Sequence, residues 1–166
     1  MRYLVISDTH GDISRASVLI DSFKGIIDGV LHLGDLTGDF EKLKSKYQDK
    51  YSLAFLGVPG NCDFFSKDPT ERSFTVEGVR VAMTHGDKYA VKYGTAYISR
   101  LAEKEKAKVV LFGHTHIPLT EEKGGVLYLN PGSLSEPRGG SRPSFALLEI
   151  ENGKAAALVN NYDDFG

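Results

Sequence analysis

Short apolar runs, each ending on a polar cluster, set the rhythm of this chain. The runs are Tyr3 to Ile6, Val30 to Leu33, Leu53 to Val58, Val79 to Met83 and Val109 to Phe112. Directly after them come Asp8-Thr9-His10, Gly34-Asp35, Gly60-Asn61-Cys62-Asp63, His85-Gly86 and Gly113-His114-Thr115-His116. Brief apolar stretches bounded by turn formers read as strands, and the shortest of them as strands buried on both faces. Between the first two runs, Ala16, Leu19, Ile20 and Phe23 recur at helical spacing, which predicts a helix from Ile13 to about Phe23. Asp12 is placed to cap it and Gly25 to close it. A second helix, from about Asp39 to Tyr47, leads into a third strand over Tyr51 to Val58. Strand and helix in alternation call for a parallel sheet with right-handed crossovers.

The second half follows another pattern. Phe74 to Val76 and Val79 to Met83 flank Glu77-Gly78, and Leu119 to Glu122 and Val126 to Leu129 flank Gly124-Gly125. Phe145 to Ile150 and Ala155 to Val159 flank Asn152-Gly153, the strongest two-residue hairpin signal. A helix is predicted over roughly Thr95 to Lys106. Two mixed sheets packed face to face with helices outside accommodate both habits, an α/β chain with α+β character. Asn160 to Gly166 is polar and expected to fray.

A length of 166 residues suits one domain, residues 1–166, around a sizeable core. The net charge of −2 argues against a dedicated nucleic-acid or membrane-surface patch. Lys and Arg do gather at Lys42 to Lys50 and Lys104 to Lys108, where solvated helix faces explain them. The N-terminal apolar run is too short for the core of a signal peptide, and no stretch approaches the roughly 18 apolar residues of a membrane span. Cys62 is the single cysteine, which rules out an intrachain disulfide and fits a reducing compartment. A soluble, cytoplasmic protein is expected.

In an open α/β sheet, ligands bind beyond the carboxyl ends of the strands. Folding should therefore gather Asp8, Asp35 and Asp63, four of the five histidines, and Asn61 into one place. Mixed Asp, His and Asn donors favour hard-to-borderline divalent ions, so the first expectation is a two-metal hydrolytic site. Asp8 and His10 lie on the same side of an extended segment, and Asp12 leaves Asp8 free of capping duty. A two-metal site needs one bridging ligand, which the two oxygens of Asp35 suit. Asn61 can offer an amide oxygen without adding charge. Asp63 is placed to orient a histidine. Cys62 reads as a small hydrophobe. His85 alone is more simply structural, with Gly86 leaving room for a phosphate. His114 and His116 carry the strongest single signal, because two imidazoles so close make sense when neutral and metal-bound. His32 sits inside a buried strand and reads as a hydrogen-bonded core residue.

Taken in order, Asp-x-His, Gly-Asp, Gly-Asn-x-Asp, His-Gly and Gly-His-Thr-His resemble the calcineurin-like metallophosphoesterase superfamily, and within it the small bacterial and archaeal phosphodiesterases. The resemblance runs from Asp8 to Ser133. It implies a four-layer αββα sandwich of two mixed sheets. It also implies one divalent metal held by Asp8, His10, Asp35 and His116, and a second by Asp35, Asn61, His85 and His114. Mn²⁺ is the expected ion, with Fe, Zn or Ni compatible. A hydroxide bridging the metals would attack phosphorus in line, with Asn61, His85 and His114 closest to the reaction. Ser133 lies in a loop resembling one found near such sites, and Arg138 and Arg142 are candidates to bind phosphate. Many members carry His where this chain has Cys62. A thiol is the poorer proton donor, so a small phosphodiester or activated phosphoester is the expected substrate. The resemblance further implies a possible homodimer. A binding-class alternative is a scaffold, as in the retromer sorting subunit of the same fold. Dinucleotide binding is excluded, because Asp-Thr-His-Gly-Asp replaces the Gly-x-Gly-x-x-Gly turn.

Overall fold

A computed structural model describes residues 1–165. β1 (Arg2–Ile6), β2 (Gly29–His32) and β3 (Ala54–Gly57) pair in parallel, joined by α1 (Ser14–Phe23) and α2 (Thr37–Tyr51). β9 (Ser144–Glu151) lies antiparallel to β1, and β10 (Lys154–Asn161) lies outside it, giving the order β10-β9-β1-β2-β3. The second sheet takes β4 (Glu71–Val76), β5 (Val79–Thr84), β6 (Val109–Leu111), β7 (Leu119–Lys123) and β8 (Val126–Asn130) in the order β4-β5-β6-β8-β7. Its three central strands are parallel and its outer pairs antiparallel.

The alternation of side chains along each strand fixes the layers. Tyr3, Val5, Leu31 and Leu33 pack against Val81, Met83, Val109, Leu111 and Leu129 between the two sheets. Leu4, Ile6 and Val30 point the other way, onto Ala16, Leu19 and Ile20 of α1 and Leu43 and Tyr47 of α2. On the far side Ala82, Val110 and Tyr128 pack on Leu101 and Ala102 of α3 (Ser99–Glu105). Helices, sheet, sheet and helix make the expected αββα sandwich.

Several boundaries move. Tyr51 ends α2 instead of opening β3, because its hydroxyl and that of Tyr47 both reach the Asp21 carboxylate on α1. α3 begins later than its apolar spacing predicts, after the 3₁₀ turns Asp87–Tyr89 and Val91–Tyr93. Asp12 accepts the Ser14 N–H and hydroxyl, although Ile13 holds the cap position of α1. Residues 160–165 of the carboxyl-terminal segment are packed instead of frayed. Asn160 and Asn161 complete β10, and the Phe165 ring stands 4.8 Å from that of Phe23 and 5.6 Å from that of Phe145. Gly166 lies outside the described residues. Among the described residues, no helix is long and apolar enough to cross a membrane.

Candidate metal centre

β1, β2 and β3 of one sheet and β5, β6 and β8 of the other deliver their carboxyl ends to one edge of the sandwich. The chain turns sharply there. Asp8, His10, Asp35, His114 and His116 all have positive φ, and they are five of the ten non-glycine residues that do. L-residues in the left-handed region carry backbone strain, which clusters where the fold over-determines a site. Here Asp8 N–H donates to Gly34 O at 2.9 Å and His10 N–H to Asp35 O at 3.2 Å, tying the first loop to the second. His114 N–H donates to Asp8 Oδ2 at 3.1 Å, tying the second sheet to the first.

Three glycines make this closeness possible, and a Cβ on the first, Gly34, would lie 2.6 Å from His85 Nδ1. A Cβ on Gly113 would lie 2.0 Å from Ser7 Oγ and 2.8 Å from Asp8 Oδ2. A Cβ on Gly60 would lie 2.0 Å from Asp35 Oδ1. Gly86 has a different duty from the one its sequence position implied. The side chain it omits would strike Val91 at 2.9 Å, so it serves packing and not the approach of a phosphate.

One cluster joins Asp8, His10, Asp35 and His116, with a donor atom from each within 4.8 Å of all the others. His116 Nε2 stands 3.1 Å from Asp8 Oδ1 and 3.2 Å from His10 Nε2. His10 Nε2 stands 3.8 Å from Asp35 Oδ2. A second cluster centres on His85 Nε2, which faces Asn61 Oδ1 at 3.0 Å, His114 Nδ1 at 3.2 Å and Asp35 Oδ2 at 3.4 Å. Asp35 faces both clusters.

The donor set fits divalent cations on two counts. Asp8 Oδ1 is buried and has no hydrogen bond, a costly state for a carboxylate oxygen unless a cation neutralises it. The imidazoles are also aimed by their far nitrogens. His85 Nδ1 lies 2.6 Å from Leu33 O and His116 Nδ1 lies 2.6 Å from Glu136 O. Each Nδ1–H donates to its carbonyl, so Nε2 points inward and, once it gives up its proton, offers the lone pair a metal ligand needs.

The titration shifts reflect this crowding. Burial works against charge on His85, but Asp35 and Asp8 outweigh it and raise the pKa to about 8. Burial pushes Asp35 up, yet its hydrogen bond and charge pairing with His85 and the Cys62 N–H hold it well below the usual carboxylate range. Burial works against charge on His116, but Asp8 and the Glu136 carbonyl together raise its pKa. His114 is lowered by burial first, then by His85 and Lys92.

Not every sequence candidate faces this site. Asp63 orients no histidine. Its carboxylate accepts the Thr37 N–H at 2.7 Å and the Gly60 N–H at 2.8 Å, pinning the Asn61 turn to the start of α2. Ser133 is fully buried, and its hydroxyl donates to Asp8 O at 2.7 Å, so it braces the first loop instead of meeting substrate. Arg142 is turned to the surface in a two-pronged pair with Asp164. Arg138 stays near, with its N–H on His116 O at 3.2 Å. Cys62 contributes its backbone N–H to Asp35 Oδ1 at 3.0 Å, and burial together with the Asp35 charge pushes its thiol up to about 11.

His32 is the hydrogen-bonded core residue expected, bridging the Gly34 N–H and the Thr9 hydroxyl at 3.2 Å each. Supporting residues that sequence reasoning passed over include Ser7, which donates to Asp8 Oδ2 at 2.6 Å. Asp39 accepts the Thr9 hydroxyl and the Gly11 N–H, and Asn130 donates to Gly113 O. Of these, Ser7 adjoins the Asp8-Thr9-His10 motif and Asn130 opens the loop that ends at Ser133, whereas nothing along the chain marked Asp39.

The calcineurin-like phosphoesterase superfamily domain matches residues 1–153, and the chain belongs to that family. Among its relatives, the probable metallophosphoesterase YsnB of Bacillus subtilis is 32% identical over 166 residues, spanning 100% of this chain and 93% of the relative. Phosphodiesterase YfcE of Escherichia coli is 26% identical, spanning 90% of this chain and 88% of the relative. Vps29 of Entamoeba histolytica, solved in complex with Zn²⁺, shares the fold with a TM-score of 0.75 at 24% identity, over 98% of this chain and 99% of that one.

Proposed function

We propose that this protein is a phosphodiesterase dependent on two divalent metal ions, Mn²⁺ first among them. The observation that carries the reading is Asp35, whose Oδ2 faces His85 Nε2 at 3.4 Å on one side and His10 Nε2 at 3.8 Å on the other. Asp8, His10, Asp35 and His116 would hold one ion, and Asp35, Asn61, His85 and His114 the other. Bound there, the ions supply Lewis acidity toward the phosphoryl oxygens and lower the pKa of a water to the range of a nucleophile.

The chain's own residues do the rest. Leu33 O and Glu136 O hold His85 and His116 in register by their Nδ1–H bonds. Asp63 holds the turn that presents Asn61. His114, the less buried imidazole of its cluster, stands where it can contact a phosphoryl oxygen. Cys62, with its thiol pushed up to about 11, stays protonated and neutral at pH 7. It brings no positive charge to a departing alkoxide, which favours diesters and activated esters over alkyl monoesters. The kinship with YfcE, a phosphodiesterase by name, supports the same choice.

The test is hydrolysis of an activated aryl phosphodiester by protein stripped with a chelator and reloaded with Mn²⁺. Activity should vanish on stripping, return on reloading and accompany about two ions per chain. Asp35→Ala should lose both ions and at least about 100-fold in turnover, since removing ligands forfeits several kcal/mol of charge stabilisation. Undiminished turnover in that variant sinks the proposal. The shared fold with Vps29 supplies a second, binding-only reading. Two tightly held ions with no turnover on any mono- or diester would favour it.

A further inference from the structure

A cavity of about 450 Å³ opens at the loop that carries His114 and His116, within the range of small-molecule sites. Its walls are apolar, formed by Val91, Phe112, Ile117 and Leu119, and two cations, Lys92 and Arg138, stand on its lining. Thr115, between His114 and His116, also lines it, so its edge is one residue from a donor of each metal cluster. Neither Lys92 nor Arg138 pairs with a carboxylate among the described residues.

We propose that this cavity is the subsite for one ester group of the substrate, and that the group is planar and largely apolar. The inference rests on the phosphodiesterase reading and adds the substrate class to it. An apolar cavity next to a phosphoryl site gains affinity by removing a hydrophobic group from water. The two unpaired cations select the kind of group. Guanidinium and ammonium groups are attracted to the faces of aromatic rings, which alkyl chains lack. The same cations would complement the charge of a phosphate bound at the metal ligands. A diester of two small polar alcohols would leave the apolar walls wet.

Binding of monoester products separates this proposal from the catalytic one. Titration calorimetry on the Mn²⁺-loaded protein compares 1-naphthyl phosphate and a nucleoside 5′-monophosphate with methyl phosphate. The expected result is a preference of about tenfold or more for a ring-bearing ester over methyl phosphate. Whichever of the two leads identifies the ring, a plain hydrocarbon or a nucleobase. Leu119→Gln, at an exposed position, should cut that ratio several-fold while circular dichroism reports an intact fold. Equal affinity for all three ligands, or a ratio unmoved by Leu119→Gln and Lys92→Gln alike, overturns the subsite. Turnover decides the other matter. A ring preference in a protein that hydrolyses no diester keeps the cavity and removes the phosphodiesterase, whereas diester turnover without the preference does the reverse.

Discussion

At the scale of single residues, closeness is the controlling quantity. The Gly113 backbone passes so near Ser7 and Asp8 that a methyl group there overlaps Ser7 Oγ at 2.0 Å. Gly113→Ala should therefore displace the Asp8 carboxylate. Metal affinity should fall roughly 10- to 100-fold, the loss typical when an orienting neighbour is disturbed. Stability should fall by about 1–3 kcal/mol from overpacking. Metal titration and denaturant unfolding read the two effects separately.

His32 gives a pH signature. Full burial lowers its pKa from 6.5 to about 4, so the folded protein keeps it neutral where the unfolded chain binds a proton. Between those two values stability falls as pH falls, by on the order of 3 kcal/mol from this residue, and above 6.5 its contribution is constant. His32→Gln should flatten the slope between pH 6.5 and 4 in denaturant midpoints. An unchanged slope would assign the acid sensitivity elsewhere. Cys62→His, which restores a group able to carry positive charge, should raise monoester turnover relative to diester turnover by roughly tenfold or more, in line with an added general acid.

At the scale of elements, the site is held by contacts between segments far apart in the chain. The start of α2 is fixed by Asp63, whose carboxylate takes the Thr37 N–H in the manner of a cap supplied from outside the helix. Asp63→Ala should destabilise the protein by about 1 kcal/mol, as loss of a capping side chain does. It should also weaken the ion nearer Asn61 more than the ion nearer His116, which metal stoichiometry at limiting Mn²⁺ would reveal. The motif position of Asp63 pointed to histidine orientation. Two backbone carbonyls perform that task instead, and a carbonyl leaves no mark in a sequence because every residue carries one.

At the scale of the whole molecule, the two sheets share one core and each lends three strand ends to the site. The last described residues close over the outer helical layer, where Phe165 packs on Phe23 and Phe145. Their polar composition pointed to fraying because it hid two aromatic anchors, Tyr162 and Phe165. Asp164 meanwhile engages Arg142 and takes that arginine away from the site. Arg142→Ala should accordingly leave diester turnover unchanged, while Arg138→Ala should raise KM. A KM rise in the first variant alone would reverse this assignment.

The sequence by itself determined the strands, the order of the motifs and the chemical identity of the donors. Apolar runs specify strands locally, and an Asp or His at a strand end is a fact of composition. Only the tertiary structure decided which nitrogen of each imidazole faces inward, which arginine is tied to the His116 loop and which to Asp164, and that an apolar cavity opens at the loop of His114 and His116. Those are properties of distance between segments that share no neighbourhood along the chain, so no local pattern encodes them.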